Sequence, residues 1–300
     1  MSPSPLDSAA ARQKELGAFY TPAPIAKELV TWAIRAASDT VLDPSFGSLA
    51  FLDAAVARFE TLGARDAPDC RRLYGIEVDD HAFAAAAARV WSRGASPTLV
   101  HQDFLAVRPG ELVPAVDVVV GNPPYLRYQG FNAHNECFPG LAAAAASVPL
   151  TRLASSWAPF LVHAVRFVAA GGRLAHVLPG QFLHAQYAQP VTEFLRREFR
   201  RVAVIAFEER VFPSAQEEVV LVLAEDRGGG PSDLEFFSCR TLAELDIGHL
   251  LRGRRQKRCA GEQRGKLLAE LLDAETRSTY SRAEAIDGVS RLGDLAGVDI

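Results

Sequence analysis

Seven short runs rich in Val, Ile and Leu punctuate the first 225 residues: TVLD (40–43), RLYGIE (72–77), TLVHQ (98–102), VDVVVG (116–121), RLAHVLP (173–179), RVAVIAF (201–207) and EVVLVLA (218–224). Helical patterns fall near 49–62, 79–92, 154–170 and 186–199. A further stretch after Pro24, IAKELVTWAIRAA, sets Ile25, Leu29, Trp32 and Ala33 on one face. Alternating strands and helices predict a parallel sheet covered on both faces. The last two runs break the rhythm. Only EERVFPSAQE separates them, too short for a helical crossover, so they should form an antiparallel hairpin. The expected fold is therefore α/β: a seven-stranded, mostly parallel sheet ending in a β-hairpin. LEFFSC (234–239) is a candidate for one more strand, after the linker RGGGPS.

These boundaries divide the chain into a loose tail (1–16), a principal domain (17–226) and a linker with a charged, largely helical extension (227–300). Hydrophobic content of 49% with 23% charge is ordinary for a soluble chain with a sizeable core. A net charge of −4 supplies no global attraction to a polyanion, so a nucleic-acid partner would have to be met by a local basic patch. RGRRQKR (252–258) is one such patch or a solvated loop, and Arg127 is another candidate for gripping phosphate. The four cysteines (Cys70, Cys137, Cys239, Cys259) form no CxxC pair, which argues against zinc or a disulfide framework and for a reducing compartment. The N-terminus lacks the apolar stretch of a signal peptide, and no apolar run approaches the ~20 residues that span a bilayer. A cytoplasmic location without membrane or metal is expected.

Three strand ends carry carboxylates. The first reads VLDPSFGSLAFLDAA, in which Asp43 ends the strand and Gly47 turns the chain into a helix. That is the corner where doubly wound folds bind ligands, with free N–H groups at the helix start, though a tight turn with no ligand uses the same residues. The second, YGIEVDD, places Glu77 at the tip of the adjacent strand, where a carboxylate can hold two ribose hydroxyls. Capping the next helix is the alternative role there, but Asp79 and Asp80 suffice for that. The third, HQDF, offers Asp103 to an exocyclic amine and Phe104 to a flat base. Together the three suggest an adenosyl ligand. Neither GxxxxGKS/T nor GxGxxG occurs, which disfavours ATP, NAD and FAD and leaves a nucleoside without phosphates, S-adenosylmethionine.

The fourth strand runs directly into GNPPYLRYQG. Two prolines fix φ and force the residue before each into an extended conformation, so Asn122, Pro123, Pro124 and Tyr125 form a stiff shelf. The side-chain oxygen of Asn122 and the carbonyl of Pro123 can both accept from one amino group. Tyr125 can stack on a planar base, worth about 1–3 kcal/mol. An amine held this way directs its lone pair at one point, and a methyl donor at that point needs positioning rather than a charged base.

The ordered set FYTP (19–22), DPSFGS (43–48), GIE (75–77), DF (103–104) and NPPY (122–125) resembles the gamma class of N6-adenine DNA methyltransferases, over roughly residues 17–225. The resemblance implies a Rossmann-like S-adenosylmethionine-dependent fold and methyl transfer to a flipped adenine, in a restriction-modification or phage-defence setting. It implies that Phe19 and Thr21 pack over the methionine end of the cofactor. Asp43, Ser45 and Gly47 would hold its amino-acid end, Glu77 and Val78 its ribose, and Asp103 and Phe104 its adenine. VFP (211–213) matches the segment whose phenylalanine sandwiches the target base, so Phe212 would face Tyr125. Where the family has a second glycine this chain has Leu49, implying either a helix set off the sheet or weakened cofactor binding. The implied partner is double-stranded DNA, with recognition by a subunit or a C-terminal domain outside this sequence, toward which RLGDLAGVDI leads. NPPY-type shelves also serve RNA and protein-glutamine methyltransferases. A non-catalytic cofactor- or DNA-binding subunit is the alternative of a different class.

Overall fold

The computed structural model describes residues 21–63, 72–92, 97–125, 139–150, 155–211, 218–253 and 258–259. Helix α1 (Ala23–Ala33) leads into β1 (Val41–Asp43), α2 (Ala50–Thr61), β2 (Leu73–Glu77), α3 (Asp80–Ser92), β3 (Thr98–His101) and β4 (Val116–Gly121). There follow α4 (Pro139–Ser147), α5 (Trp157–Val165), β5 (Val168–Pro179), α6 (Ala188–Glu198), β6 (Phe199–Phe207) and β7 (Val219–Arg227). Strand β8 (Leu234–Cys239), α7 (Ile247–Arg252) and β9 (Arg258–Cys259) close the described chain. The alanine run 142–147 lies in α4.

The strands form one sheet in the order β3-β2-β1-β4-β5-β7-β6-β8-β9. β3, β2, β1, β4 and β5 pair in parallel, and β7 lies antiparallel between β5 and β6. The hairpin expected from the short β6–β7 spacer is therefore present. Among the described residues the sheet has nine strands rather than the expected seven, and the candidate LEFFSC is one of the two added. β8 returns parallel to β6 along its free edge, Val202 to Phe207 against Leu234 to Cys239, and β9 pairs with β8. The reversal that permits this passes through Asp226, Gly228 and Gly230, all at positive φ (62°, 83° and 100°). An apolar β6 left at the edge would present unpaired backbone, and β8 covers it.

Valine-rich strands buried on both faces send alternate side chains into two core layers. Val116 and Val119 of β4 join Leu42, Leu174, Trp157 and Phe160 in one layer. Val118 and Val120 join Val41, Ala175, Leu29 and Phe51 in the other. From β1 the chain leaves toward β2 on one side, while β4 lies on the other. The carboxyl ends of β1 and β4 thus flank the point where strand order reverses, the usual ligand crevice of open α/β sheets. Among the described residues, no helix is long and apolar enough to cross a membrane, and no group of three His, Cys, Asp or Glu gathers as a metal site would.

Candidate active site

Asp43 closes β1 in full burial. Its Oδ1 accepts the Ser45 N–H at 3.1 Å, while Oδ2 has no hydrogen-bond partner among the described residues. Desolvation pushes the carboxyl up to about 8; the Ser45 N–H opposes that rise and the nearby Glu77 carboxylate adds to it. The loop then turns through Gly47 (φ 45°) and Leu49 (φ 72°). Leu49 is the N-cap of α2 and takes the left-handed backbone that a glycine would take there. Its side chain is 2% exposed and packs into the core layer with Phe46, Phe51 and Leu52.

The shelf after β4 is tied down from three directions. Ser45 Oγ donates to the carbonyl of Asn122 at 3.1 Å, and Ser156 Oγ donates to the carbonyl of Pro124 at 2.5 Å. The Asn122 amide donates from Nδ2 to Thr21 Oγ1 at 3.2 Å, and its Oδ1 accepts the Tyr125 hydroxyl at 2.5 Å. Tyr125 Oη also lies 3.1 Å from the carbonyl of Val177 on β5. Of the three successive carbonyls, those of Asn122 and Pro124 are engaged, whereas the Pro123 carbonyl accepts no hydrogen bond among the described residues. The approach of β4 to β1 is tight at Gly121, where any side chain would make its neighbours give by a few tenths of an ångström. A Cβ there would stand 3.2 Å from Asp43 Oδ1 and 3.8 Å from Nε2 of His176.

An acceptor shelf thus adjoins a carboxylate-lined corner across one strand boundary. Residues 6–245 match the family model described as N-6 DNA Methylase. The chain belongs to that family. Type II methyltransferase M.AccI of Acinetobacter calcoaceticus is 24% identical over 217 residues, a match covering 70% of this chain and 37% of that protein. A modification subunit of a putative type I restriction enzyme from Vibrio vulnificus YJ016 superposes with a TM-score of 0.59 at 20% identity, over 81% of this chain and 54% of that one. A putative class I S-adenosylmethionine-dependent methyltransferase from Listeria monocytogenes gives a TM-score of 0.60 at 21% identity, over 82% and 75%. These two likenesses show the fold. The chain spans well under half the length of the curated relative, 37%.

In this chain the other strand ends are already engaged by backbone. Glu77 Oε2 accepts the Gly47 N–H at 2.8 Å, and Oε1 accepts those of Val78 and Asp79, each at 2.9 Å. A carboxylate has about four lone-pair positions, so three are used in clipping the glycine loop to β2. Val78 is 52% exposed beside it. Asp79 accepts the Ala82 N–H at 2.8 Å and thereby caps α3. Asp103 accepts the Leu105 N–H at 2.8 Å, and burial pushes its carboxyl up against that bond. The Phe104 ring is buried, with the rings of Phe160, His163 and Phe167 at 4.7, 4.7 and 5.0 Å. His163 Nε2 faces the Val107 carbonyl at 2.9 Å, which fixes the proton on that nitrogen, and burial holds the ring down to about 4.

The structure brings Thr21, Asp43, Ser45, Asn122 and Tyr125 into one hydrogen-bonded group; Gly47 and Glu77 are bonded to each other, with the Glu77 carboxylate close enough to Asp43 to act on its charge. Phe19, Phe212 and Arg127 lie outside the described residues, as does most of the basic run. Sequence reasoning missed Ser156, the Val177 carbonyl and His176. Ser156 precedes the apolar run WAPFLVHAV and has the residue type of a helix cap, but its hydroxyl goes to the shelf instead. His176 is fully buried, neither ring nitrogen has a hydrogen-bond partner among the described residues, and burial pushes it down to about 3.

Proposed function

We propose that this chain transfers a methyl group from S-adenosylmethionine to N6 of an adenine flipped out of double-stranded DNA. The shelf is of the gamma class, and the setting is restriction-modification or phage defence. Site recognition is supplied by a further domain or subunit. One observation carries the reading. Among the described residues, the Pro123 carbonyl accepts no hydrogen bond while its neighbours on Asn122 and Pro124 do, and it adjoins the side-chain oxygen of Asn122.

The residues present fit the cofactor. Asp43 Oδ2 is a buried oxygen without a partner among the described residues, suited to a ligand ammonium. Among the described residues a Cβ on Gly47 would meet just the Ser45 carbonyl, at 4.0 Å, so the loop is open to a close-packed ligand. When bound, S-adenosylmethionine supplies an electrophilic sulfonium methyl. The chain's own contribution is orientation. Asn122 Oδ1 and the Pro123 carbonyl accept the two N–H bonds of the adenine amine and leave its lone pair aimed outward. An amide oxygen accepts two hydrogen bonds, so the Tyr125 hydroxyl does not preclude the amine. The Tyr125 ring offers the stacking face that an extruded base requires. No charged base is needed, because the amine nitrogen gives up its proton to water after transfer.

Tritiated cofactor offered with DNA, RNA and protein tests the reading: label is expected in DNA as N6-methyladenine. Asn122→Ala removes the side-chain acceptor and is expected to lower transfer by on the order of a hundredfold or more. Calorimetric cofactor binding should survive. An unchanged rate would dismiss the mechanism, and label in RNA or protein alone would redirect the substrate.

A further inference from the structure

The two ends of an asparagine amide have nearly the same shape and opposite hydrogen-bonding character. Catalysis on an amine needs the oxygen end of Asn122 at the target, because the nitrogen end would present N–H to N–H. Something must therefore set the polarity of this amide. Two hydroxyls flank it, Thr21 Oγ1 at the nitrogen end and Tyr125 Oη at the oxygen end. A hydroxyl can donate or accept, so neither is decisive by chemistry alone.

Tyr125 is ambivalent in this structure. Its single phenolic proton can serve Asn122 Oδ1 or the Val177 carbonyl, which lies 3.1 Å away and can only accept. If the proton goes to Val177, the phenolic oxygen becomes an acceptor and favours the reversed amide. Thr21 has no such competitor. Its oxygen accepts Asn122 Nδ2 at 3.2 Å, and its own proton has no acceptor among the described residues. It reaches the shelf from a segment 101 positions earlier in the chain, just before α1.

We propose that Thr21 is the positioning residue that fixes the polarity of the Asn122 amide, and that a ligand carboxylate taking the Thr21 proton locks it. Once that proton is committed to an anion, the oxygen can only accept, so it holds Nδ2 and turns Oδ1 toward the target amine. The carboxylate available at this corner is that of the cofactor's amino-acid end, so the inference rests on the cofactor assignment above. Filling the cofactor site then completes the acceptor pair for adenine before the base arrives.

The test follows the Asn122 side-chain amide by NMR, its signals assigned through loss in Asn122→Asp. S-adenosylhomocysteine, which carries the carboxylate, is expected to slow exchange of these amide protons at least severalfold. Methylthioadenosine, which lacks the amino-acid end, should not. Thr21→Val should abolish the slowing and lower kcat at saturating cofactor on the order of a hundredfold. Thr21→Ser should restore both. If Thr21→Val raises the KM for cofactor while kcat and amide exchange stay as in the wild type, Thr21 is a cofactor contact only and the proposal fails. Amide protection that responds as expected in a chain that methylates no nucleic acid would retain this inference and overturn the functional reading instead.

Discussion

Leu49 holds φ of 72° at the head of α2 with its side chain buried. A left-handed conformation costs a non-glycine residue about 1–2 kcal/mol, and burial of the leucine side chain returns about 1.5–3 kcal/mol. Leucine at this corner thus trades backbone freedom for packing while keeping a turn of the kind glycine usually makes. Its consequence is an unusual order of stability. Leu49→Ala loses the packing and keeps the strain, whereas Leu49→Gly loses the packing and removes the strain. Glycine should therefore destabilise less than alanine, by about 1 kcal/mol, in urea denaturation; the opposite order would show that the strain is negligible. Asp43 supplies the second expectation at this scale. The buried carboxyl keeps its proton to about 8, against an ordinary 3.8. Between those values the folded chain binds more proton than the unfolded one, so stability falls as pH rises across the interval. An ammonium placed against Oδ2 would reverse this by favouring the anion. Cofactor binding at pH 7 should accordingly release close to one proton, read by calorimetry in buffers of different ionisation enthalpy. Asp43→Asn should release none, and a wild-type value near zero would remove Asp43 from the ammonium site.

The elements that could be read in advance were those with a local signature. β4 announces itself as VDVVVG, a run that only a strand buried on both faces tolerates, and the ten residues after β6 exclude a helical crossover. β8 had no comparable signal for its place. LEFFSC follows a glycine-rich linker, and its pairing with β6 is a long-range choice made by the edge it covers. β5 begins at Val168, five residues before the apolar run, because Val116 pairs with Val168 ahead of the irregularity at Val116/Val118. The site divides in the same way. Asn122, Tyr125, Asp43 and Glu77 sit in linear motifs, and their types could be read one by one. Their partners could not. Ser156 on the shelf, Val177 beneath Tyr125 and Glu77 across Gly47 are assembled by strands and helices distant in sequence. Thr21 was legible as part of FYTP, but its bond to Asn122 was not, since it closes across 101 residues.

At the scale of the whole molecule, charge limits what this chain can do with DNA unaided. Its net charge is −4. Many described arginines are already committed to carboxylates: Arg35 to Glu225, Arg89 to Asp53, Arg173 to Asp39, Arg201 to Glu225 and Glu235, and Arg240 to Glu244. A cation paired within the fold releases little counterion when it meets a phosphate, and counterion release supplies most non-specific affinity. Flipping a base costs a few kcal/mol on top of binding, and that cost must be met by contacts along the duplex. Residues 1–300 by themselves should therefore bind duplex DNA no tighter than about 10 μM at physiological salt. The slope of log K against log salt should be shallow, corresponding to about three phosphates or fewer. Fluorescence anisotropy across a salt series measures both. A steep slope, equivalent to six or more phosphate contacts, would mean that this chain carries its own DNA-gripping surface. In that case recognition need not come from a further domain or subunit. A shallow slope that steepens when such a component is added would locate the affinity there and leave this chain the role proposed for its shelf, holding one amine still.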